Sequence, residues 1–422
     1  MKKSYSVLIW SVSLVVILAI ICCSLLTGKT KTISSQSVVT SETSNQTSNQ
    51  KTYTEETIKI GNVGDILIHS PIFRSVAQSD GSYNFNPIFK YVKEYYESYD
   101  IMVADLEQPL AGKEKGYSGF PLFNAPDSIA TALKQNGVDV VLTANNHCYD
   151  QSESGFHRTM DVLEQNNLDY IGSRKETSKP YIIKSAKGIN VGMINYTYET
   201  QRLTDTKYIN GIPMSQSTKD LLNTFNYDDL EAFYKDIETN ISNMYKDGAD
   251  VIIAYMHWGT EYSLTANSYQ TQMAQKLCDL GVDVIVGGHT HCIEPTDLIT
   301  SEISGKQTPI IYSTGNQLSN QRKETLSSFP ASTPYFEDGV IYEIEFSRKK
   351  DGSVVLSNIS YTPTWCNLFG SNYYIIPLEN IDAYASLGRS FEMQNSKKRT
   401  DGLLQKGVQK YKDEYKQKDL RK

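Results

Sequence analysis

The feature that most constrains this chain is a series of short, nearly all-apolar runs, each of which stops at a cluster of His, Asp, Glu or Asn. Ile101-Met102-Val103-Ala104, Val138 to Leu142, Val251-Ile252-Ile253-Ala254-Tyr255 and Val284-Ile285-Val286 show little polar alternation. A strand that offers neither face to water reads this way, as strands of a parallel sheet covered on both sides do. Stretches with helical spacing intervene at 127–135, 230–245 and 269–280. This rhythm predicts an α/β domain with mostly parallel strands. Ile58–Val63, Tyr181–Lys184, Val191–Asn195, Ile310–Tyr312 and Val340–Phe346 add strand signals, and the polar insertion from Thr200 to Tyr227 reads as a loop.

In an open α/β sheet, ligands bind in the crevice at the carboxyl ends of the strands. Five runs end there in ligand-type residues: Gly64-Asp65 to His69; Asp105-Leu106-Glu107; Asn145-Asn146-His147 to Asp150; His257-Trp258-Gly259-Thr260-Glu261; and Gly288-His289-Thr290-His291. The chain has six histidines, and only His157, on an expected helix, falls away from these ends and reads as a plain surface residue. Imidazole with carboxylate and amide oxygen is a metal-binding set, and a pair of cations needs about seven protein ligands with room left for water. Asp65, His69, Glu107, Asn146, His257, His289 and His291 supply that number. His147 then stands beside the site as a general acid, with Asp150 or Asp105 to orient its ring. Taken singly, each residue has a plainer reading: Asp65 as a helix cap, Glu107 as a surface carboxylate, Asn145-Asn146 as a turn, His257-Trp258 as a packed pair. The set as a whole favours metal. Ser313-Thr314-Gly315-Asn316 follows another strand and reads equally as rim or as helix start.

The N-terminus points to a compartment. Lys2-Lys3 precede an uncharged run from Tyr5 to Leu26, which as a helix would be about 33 Å long, enough to cross a hydrocarbon core of roughly 30 Å. An uncleaved single-pass anchor in the cell membrane with the body outside is expected, lipidation at Cys22 or Cys23 being the lesser alternative. The Ser/Thr/Gln/Asn-rich stretch that follows buries too little to fold and reads as a tether. The expected domains are thus an anchor at 1–27, a linker at 28–56, a folded domain at 57–385 and a basic helical tail at 386–422. From Met393 onward, ten Lys/Arg against four Asp/Glu give +6, so the rest of this −7 chain carries −13. Without a general basic excess, a nucleic-acid partner is not expected. The tail reads as a solvated, frayed helix, and Cys148 and Cys292 as buried thiols.

The five clusters, in this order and spacing across about residues 57–320, resemble the CapA family of capsule and poly-γ-glutamate biosynthesis proteins. That family is related to the calcineurin-like metallophosphoesterases. The resemblance implies a four-layer α/β/β/α sandwich around a site for two divalent metal ions (Mn, Fe or Zn), here preceded by a transmembrane helix. It implies Asp65, His69 and His291 for one ion, Asn146, His257 and His289 for the other, Glu107 between them and His147 as proton donor. Three residues separate Asp65 from His69 where phosphoesterases have one, and the bridging position holds Glu instead of Asp. The resemblance implies a part in capsule or poly-γ-glutamate synthesis or export, with synthase or export subunits and the cytoplasmic membrane as partners. The site chemistry suits the alternative, a metal-dependent hydrolase acting on an anionic polymer or a phosphoester.

Overall fold

The structure is a computed structural model that describes residues 52–176, 178–200, 206–326 and 333–416. The expected anchor and most of the tether lie outside the described residues. Among the described residues, no helix is long and apolar enough to cross a membrane.

The chain runs β1 (Glu56–Ile66), α1 (Ser70–Ser75), α2 (Asn86–Phe89), α3 (Lys93–Glu97), β2 (Ile101–Leu106), α4 (Ser128–Gln135), β3 (Val140–Leu142), α5 (Ser152–Gln165) and β4 (Asp169–Ile171). Then come β5 (Ile182–Ala186), β6 (Ile189–Tyr198), β7 (Tyr208–Ile209), β8 (Ile212–Pro213), β9 (Thr224–Phe225), α6 (Leu230–Lys246), β10 (Val251–His257), α7 (Ser268–Asp279) and β11 (Val284–Gly288). The remainder is β12 (Ile293–Thr300), β13 (Gln307–Thr314), β14 (Asn316–Leu318), β15 (Asp338–Arg348), β16 (Val354–Phe369), β17 (Asn372–Pro377) and α8 (Ser390–Glu414).

Two sheets result. The first has eight strands in the order β17-β16-β15-β1-β2-β3-β4, with β14 pairing β1. The second has seven, in the order β12-β13-β11-β10-β6-β5, with β9 beside β6. The apolar runs form the parallel centres: β1 to β4 in one sheet, β6, β10, β11 and β13 in the other. The antiparallel meander β15–β16–β17, flanking β1, departs from the mostly parallel expectation. β16 carries Ser357, Asn358, Ser360 and Thr362 among its apolar residues, so its sequence lacks the signature of a strand buried on both sides.

The sheets face one another. Ile101 and Val103 of β2 share a core with Val191, Ile253 and Val286 of the second sheet. Their neighbours Met102 and Ala104 point the other way, into a core with Ile129 and Leu133 of α4 and Leu163 of α5. Across the molecule, Ile252 and Ile285 pack outward on Ile237 and Met244 of α6 and Met273 and Leu277 of α7. The layers are therefore helix, sheet, sheet, helix. This is why the central strands read as unbroken apolar runs: both side-chain directions of the pleat are buried.

The basic C-terminal segment differs from the solvated, frayed helix its lysines suggest. α8 spans 25 residues, and its Leu404, Val408 and Tyr411 belong to the core between the sheets. A Cβ on Gly407 would lie 2.0 Å from the Thr296 carbonyl oxygen, so the helix backbone rests directly on β12. The lysines lie on the remaining faces, where Lys410 pairs with Asp297. Burial of a fully covered Leu404 implies a cost of about 2–5 kcal/mol for truncation to Ala.

Candidate metal centre

Strand register brings the polar clusters level. Asp65 pairs with Asp105 across β1 and β2 and with Asn316 across β1 and β14, while His257 pairs with Gly288 across β10 and β11. Because β2 and β10 belong to facing sheets, residues from both meet at one end of the sandwich.

Glu107 sits at the centre. It is fully buried, and neither carboxylate oxygen has a hydrogen-bond partner. Its Oε1 is 3.5 Å from His257 Nε2, and its Oε2 is 3.7 Å from His291 Nδ1. A buried carboxylate left without donors costs several kcal/mol unless a charge compensates it. Ligand atoms of Glu107, His257 and His289 lie within 4.8 Å of one another, and so do those of Asp65, Glu107 and His291. A third such group joins Asp65, Asp105 and His257. His289 Nδ1 is also buried without a partner. Carboxylate oxygens and an imidazole nitrogen that make no hydrogen bond among the described residues, converging from two sheets, fit a divalent cation.

The local backbone serves this convergence. His289 and His291 both adopt left-handed conformations, with φ of 92° and 58°. For residues other than glycine this costs on the order of 1–3 kcal/mol each and recurs where side chains must be aimed. A Cβ on Gly288 would come 3.1 Å from Asp65 Oδ1, so glycine lets the turn close over the aspartate. The His289 amide in turn donates toward Asp65 Oδ1 at 3.4 Å.

The His257 and His291 rings are both flanked by polar oxygens, and His257 alone is also held on the nitrogen that faces away from Glu107. Asp105 Oδ2 faces His257 Nδ1 at 3.0 Å, and Asn146 Oδ1 faces His257 Nε2 at 2.7 Å. Asn145 donates to Asp105 Oδ1 at 3.1 Å and to the Leu106 carbonyl at 2.9 Å. His291 Nδ1 lies 3.1 Å from Asp65 Oδ2 and 3.2 Å from Asn316 Oδ1. Burial alone would depress His257, but its hydrogen bond to Asp105 and the charge of Glu107 override burial and raise it to about 10. His291, opposed by burial in the same way, is raised to about 9 by Glu107 and Asp65. Burial lifts Asp105 to about 6 against the pull of His257. Burial, with the charges of His257 and His291 beside it, drives His289 well below the ordinary histidine value. With Asp65, Asp105 and Glu107 in one pocket, the metal-free centre holds protons where cations would bind.

His147 forms a separate pair beside this centre. Its Nδ1 lies 2.8 Å from Asp150 Oδ2, and the Phe123 amide donates to the same oxygen at 2.8 Å. The two carboxylates that the sequence offers for orienting His147 are thereby divided, Asp150 serving His147 and Asp105 serving His257. His69 caps the start of α1 and enters none of the three carboxylate–histidine groups. Its Nδ1 is 3.2 Å from the Leu67 carbonyl and 3.4 Å from the Asn320 amide. Burial, with help from His291 and His147, lowers it to about 4. The Phe123 ring meets both His69 and His147 edge-on, at 5.1 and 4.7 Å between centroids.

Several neighbours escape sequence reasoning. Tyr198 packs 4.9 Å from His289, and Tyr262 5.9 Å from His291. Single aromatic residues carry no pattern that would mark them. Asn316, read from sequence as rim or helix start, is a short strand residue that contacts His291. The four described cysteines, Cys148, Cys278, Cys292 and Cys366, are buried free thiols. His157 lies on α5, where its side chain is 40% exposed.

Residues 59–321 match the model of the bacterial capsule synthesis protein family PGA_cap. The PGA biosynthesis protein CapA of Bacillus subtilis (strain 168) is 26% identical over 283 residues, covering 65% of this chain and 67% of that protein. The capsule biosynthesis protein CapA of Bacillus anthracis is 27% identical over 265 residues, covering 61% of this chain but only 59% of the relative's own length. Among solved structures, Haemophilus influenzae NAD nucleotidase superposes with a TM-score of 0.42 at 12% identity, covering 86% of this chain and 68% of that one. The sulfate thiohydrolase SoxB of Thermus thermophilus does so with a TM-score of 0.36 at 13% identity, covering 72% and 42%. The family match takes in more than half of the chain and every cluster from Asp65 to His291, and the chain belongs to the bacterial capsule synthesis protein family PGA_cap.

Proposed function

We propose that this protein holds two divalent cations and works outside the cytoplasmic membrane in the synthesis or export of an anionic capsule polymer of the poly-γ-glutamate kind. Glu107 carries this reading. Its two orphaned oxygens face His257 on one side and His291 on the other, which suits a carboxylate shared by two ions. Asp65 and His291 would complete one position, and His257, His289 and Asn146 the other, with His69 at the edge of the first. The family-wide association with capsule synthesis supplies the biological setting. The uncharged run from Tyr5 to Leu26 after Lys2-Lys3 supports attachment to the membrane. Polymer synthase or export subunits are the partners this setting suggests.

A second reading, a metal-dependent phosphoesterase or related hydrolase, is favoured by the His147–Asp150 pair. A metallophosphoesterase-like four-layer sandwich is the scaffold this reading supposes. Bound divalent ions would supply positive charge to polarise the scissile group and to activate water. The chain's own contribution is His147, oriented through Nδ1 by Asp150, to pass a proton to the leaving group. One experiment tests both readings. Full-length protein is loaded with Mn²⁺, its metal content is measured, and turnover of a chromogenic phosphodiester is assayed beside the His289→Ala variant. Two ions per chain with turnover lost in the variant support the hydrolase. Two ions without turnover leave the accessory role, and no bound metal overturns the metal reading.

A further inference from the structure

The His147–Asp150 pair receives one more hydrogen bond, from the polar insertion. β7 and β8 pair as a hairpin whose two-residue turn is Asn210-Gly211, with φ of 50° and 72°. Left-handed backbone at both turn positions matches the twist of the strands, and Asn-Gly is the sequence that adopts it most readily. The Asn210 side chain leaves the turn and reaches the site. Its Nδ2 donates to Asp150 Oδ1 at 2.8 Å, lies 3.4 Å from the Pro121 carbonyl and is 3.3 Å from His147 Nδ1. Asp150 Oδ2 meanwhile accepts from the Phe123 amide. The amide groups of Asn210 and Phe123 only donate through nitrogen, so Asp150 is satisfied as an ionised acceptor on both oxygens. His147 Nδ1, 2.8 Å from Oδ2, must then carry a hydrogen aimed at Asp150, so the longer Asn210 approach to Nδ1 is a contact between two donors and not a hydrogen bond.

We propose that Asn210 is a positioning residue that completes a His147–Asp150–Asn210 triad and fixes the Nδ1–H of His147, leaving Nε2 as the nitrogen that takes a proton from water and passes it to the leaving group. The role in proton exchange rests on the hydrolase reading above, whereas the tautomer does not. Losing a hydrogen bond to a charged group typically changes an equilibrium or a rate about 10–100-fold.

The test uses Asn210→Gly, which keeps a left-handed turn residue and deletes the amide, with Asn210→Ala as a second truncation. Full-length protein labelled with ¹⁵N-histidine is freed of metal, and two-bond ¹H–¹⁵N correlation reads which ring nitrogen carries hydrogen. His147→Gln identifies the His147 signal, and Asp150→Asn sets the scale of full loss. Wild type is expected to show the Nδ1–H pattern, and both Asn210 variants a mixture shifted toward Nε2–H. With a chromogenic phosphodiester, kcat should fall about tenfold with KM within about twofold. An unchanged Nδ1–H pattern in both variants, even with a lowered melting temperature, assigns Asn210 to the turn alone and overturns the proposal. A shifted tautomer in a protein without turnover keeps the triad and removes the hydrolase reading instead.

Discussion

The Glu107 centre and the His147–Asp150 pair lie side by side but are finished differently. Around His147, protein groups meet protein groups: Asp150 has donors on both oxygens, from Phe123 and Asn210. Around Glu107, two carboxylate oxygens and His289 Nδ1 are buried with no hydrogen bond. Since an orphaned buried polar group is costly, the first region is complete as folded, while the second is left with ligand atoms that could hold a cation. Completeness separates a positioning device from a binding site more clearly than residue type does, since both contain histidine and carboxylate.

The sharpest way to break this contrast is Glu107→Ala. If Glu107 is shared, both ions are lost together, and Mn²⁺ affinity measured by calorimetry should fall at least about 100-fold. Loss of one ion with the other unchanged would refute sharing. Next is Asp105→Asn, which leaves every proposed ligand in place but weakens the orientation of His257. It should cost about 10–100-fold at one ion and little at the other. Asp150→Ala probes the closed region. It strands the Phe123 amide and the Asn210 side chain and should cost about 1–3 kcal/mol in urea unfolding, with metal affinity unchanged. A large loss of metal in this variant would merge the two regions.

The contrast is tested last by pH, one unit of which changes less than any of these variants. In the metal-free centre His257 and His291 are raised to about 10 and 9. Each must lose a proton to ligate, so affinity should rise about tenfold per pH unit for each ion between pH 7 and 8.5. The sign for folding is opposite. Histidines whose folded values lie above the unfolded 6.5 contribute stability that is fully present below pH 6.5 and lost as pH rises through 9 to 10. Thermal melts of metal-free protein should therefore weaken toward alkaline pH, while melts with Mn²⁺ strengthen relative to them.

The pattern of apolar runs and their polar ends was sufficient to anticipate the central strands of both sheets and the convergence of Asp65, Glu107, Asn146, His257, His289 and His291. The meander β15–β17 was less legible, since half-polar strands resemble loops when read alone. α8 was misjudged because lysine content hides a narrow stripe: Leu404, Val408 and Tyr411 fall three or four residues apart, enough to line one face. The Asn210-Gly211 hairpin carried a readable turn signal inside what otherwise looks like a polar loop.

By itself the sequence determined that the chain has strands buried on both faces and that metal-type ligands gather at their ends. Both are local properties, set by side-chain polarity and the two-residue period of a strand. Only the tertiary structure decided that the candidate ligands come from two facing sheets, that Asp105 serves His257 while Asp150 serves His147, and that neither Glu107 oxygen finds a hydrogen bond. Those outcomes depend on which residues lie opposite one another across a gap between sheets, a distance that no spacing along the chain encodes.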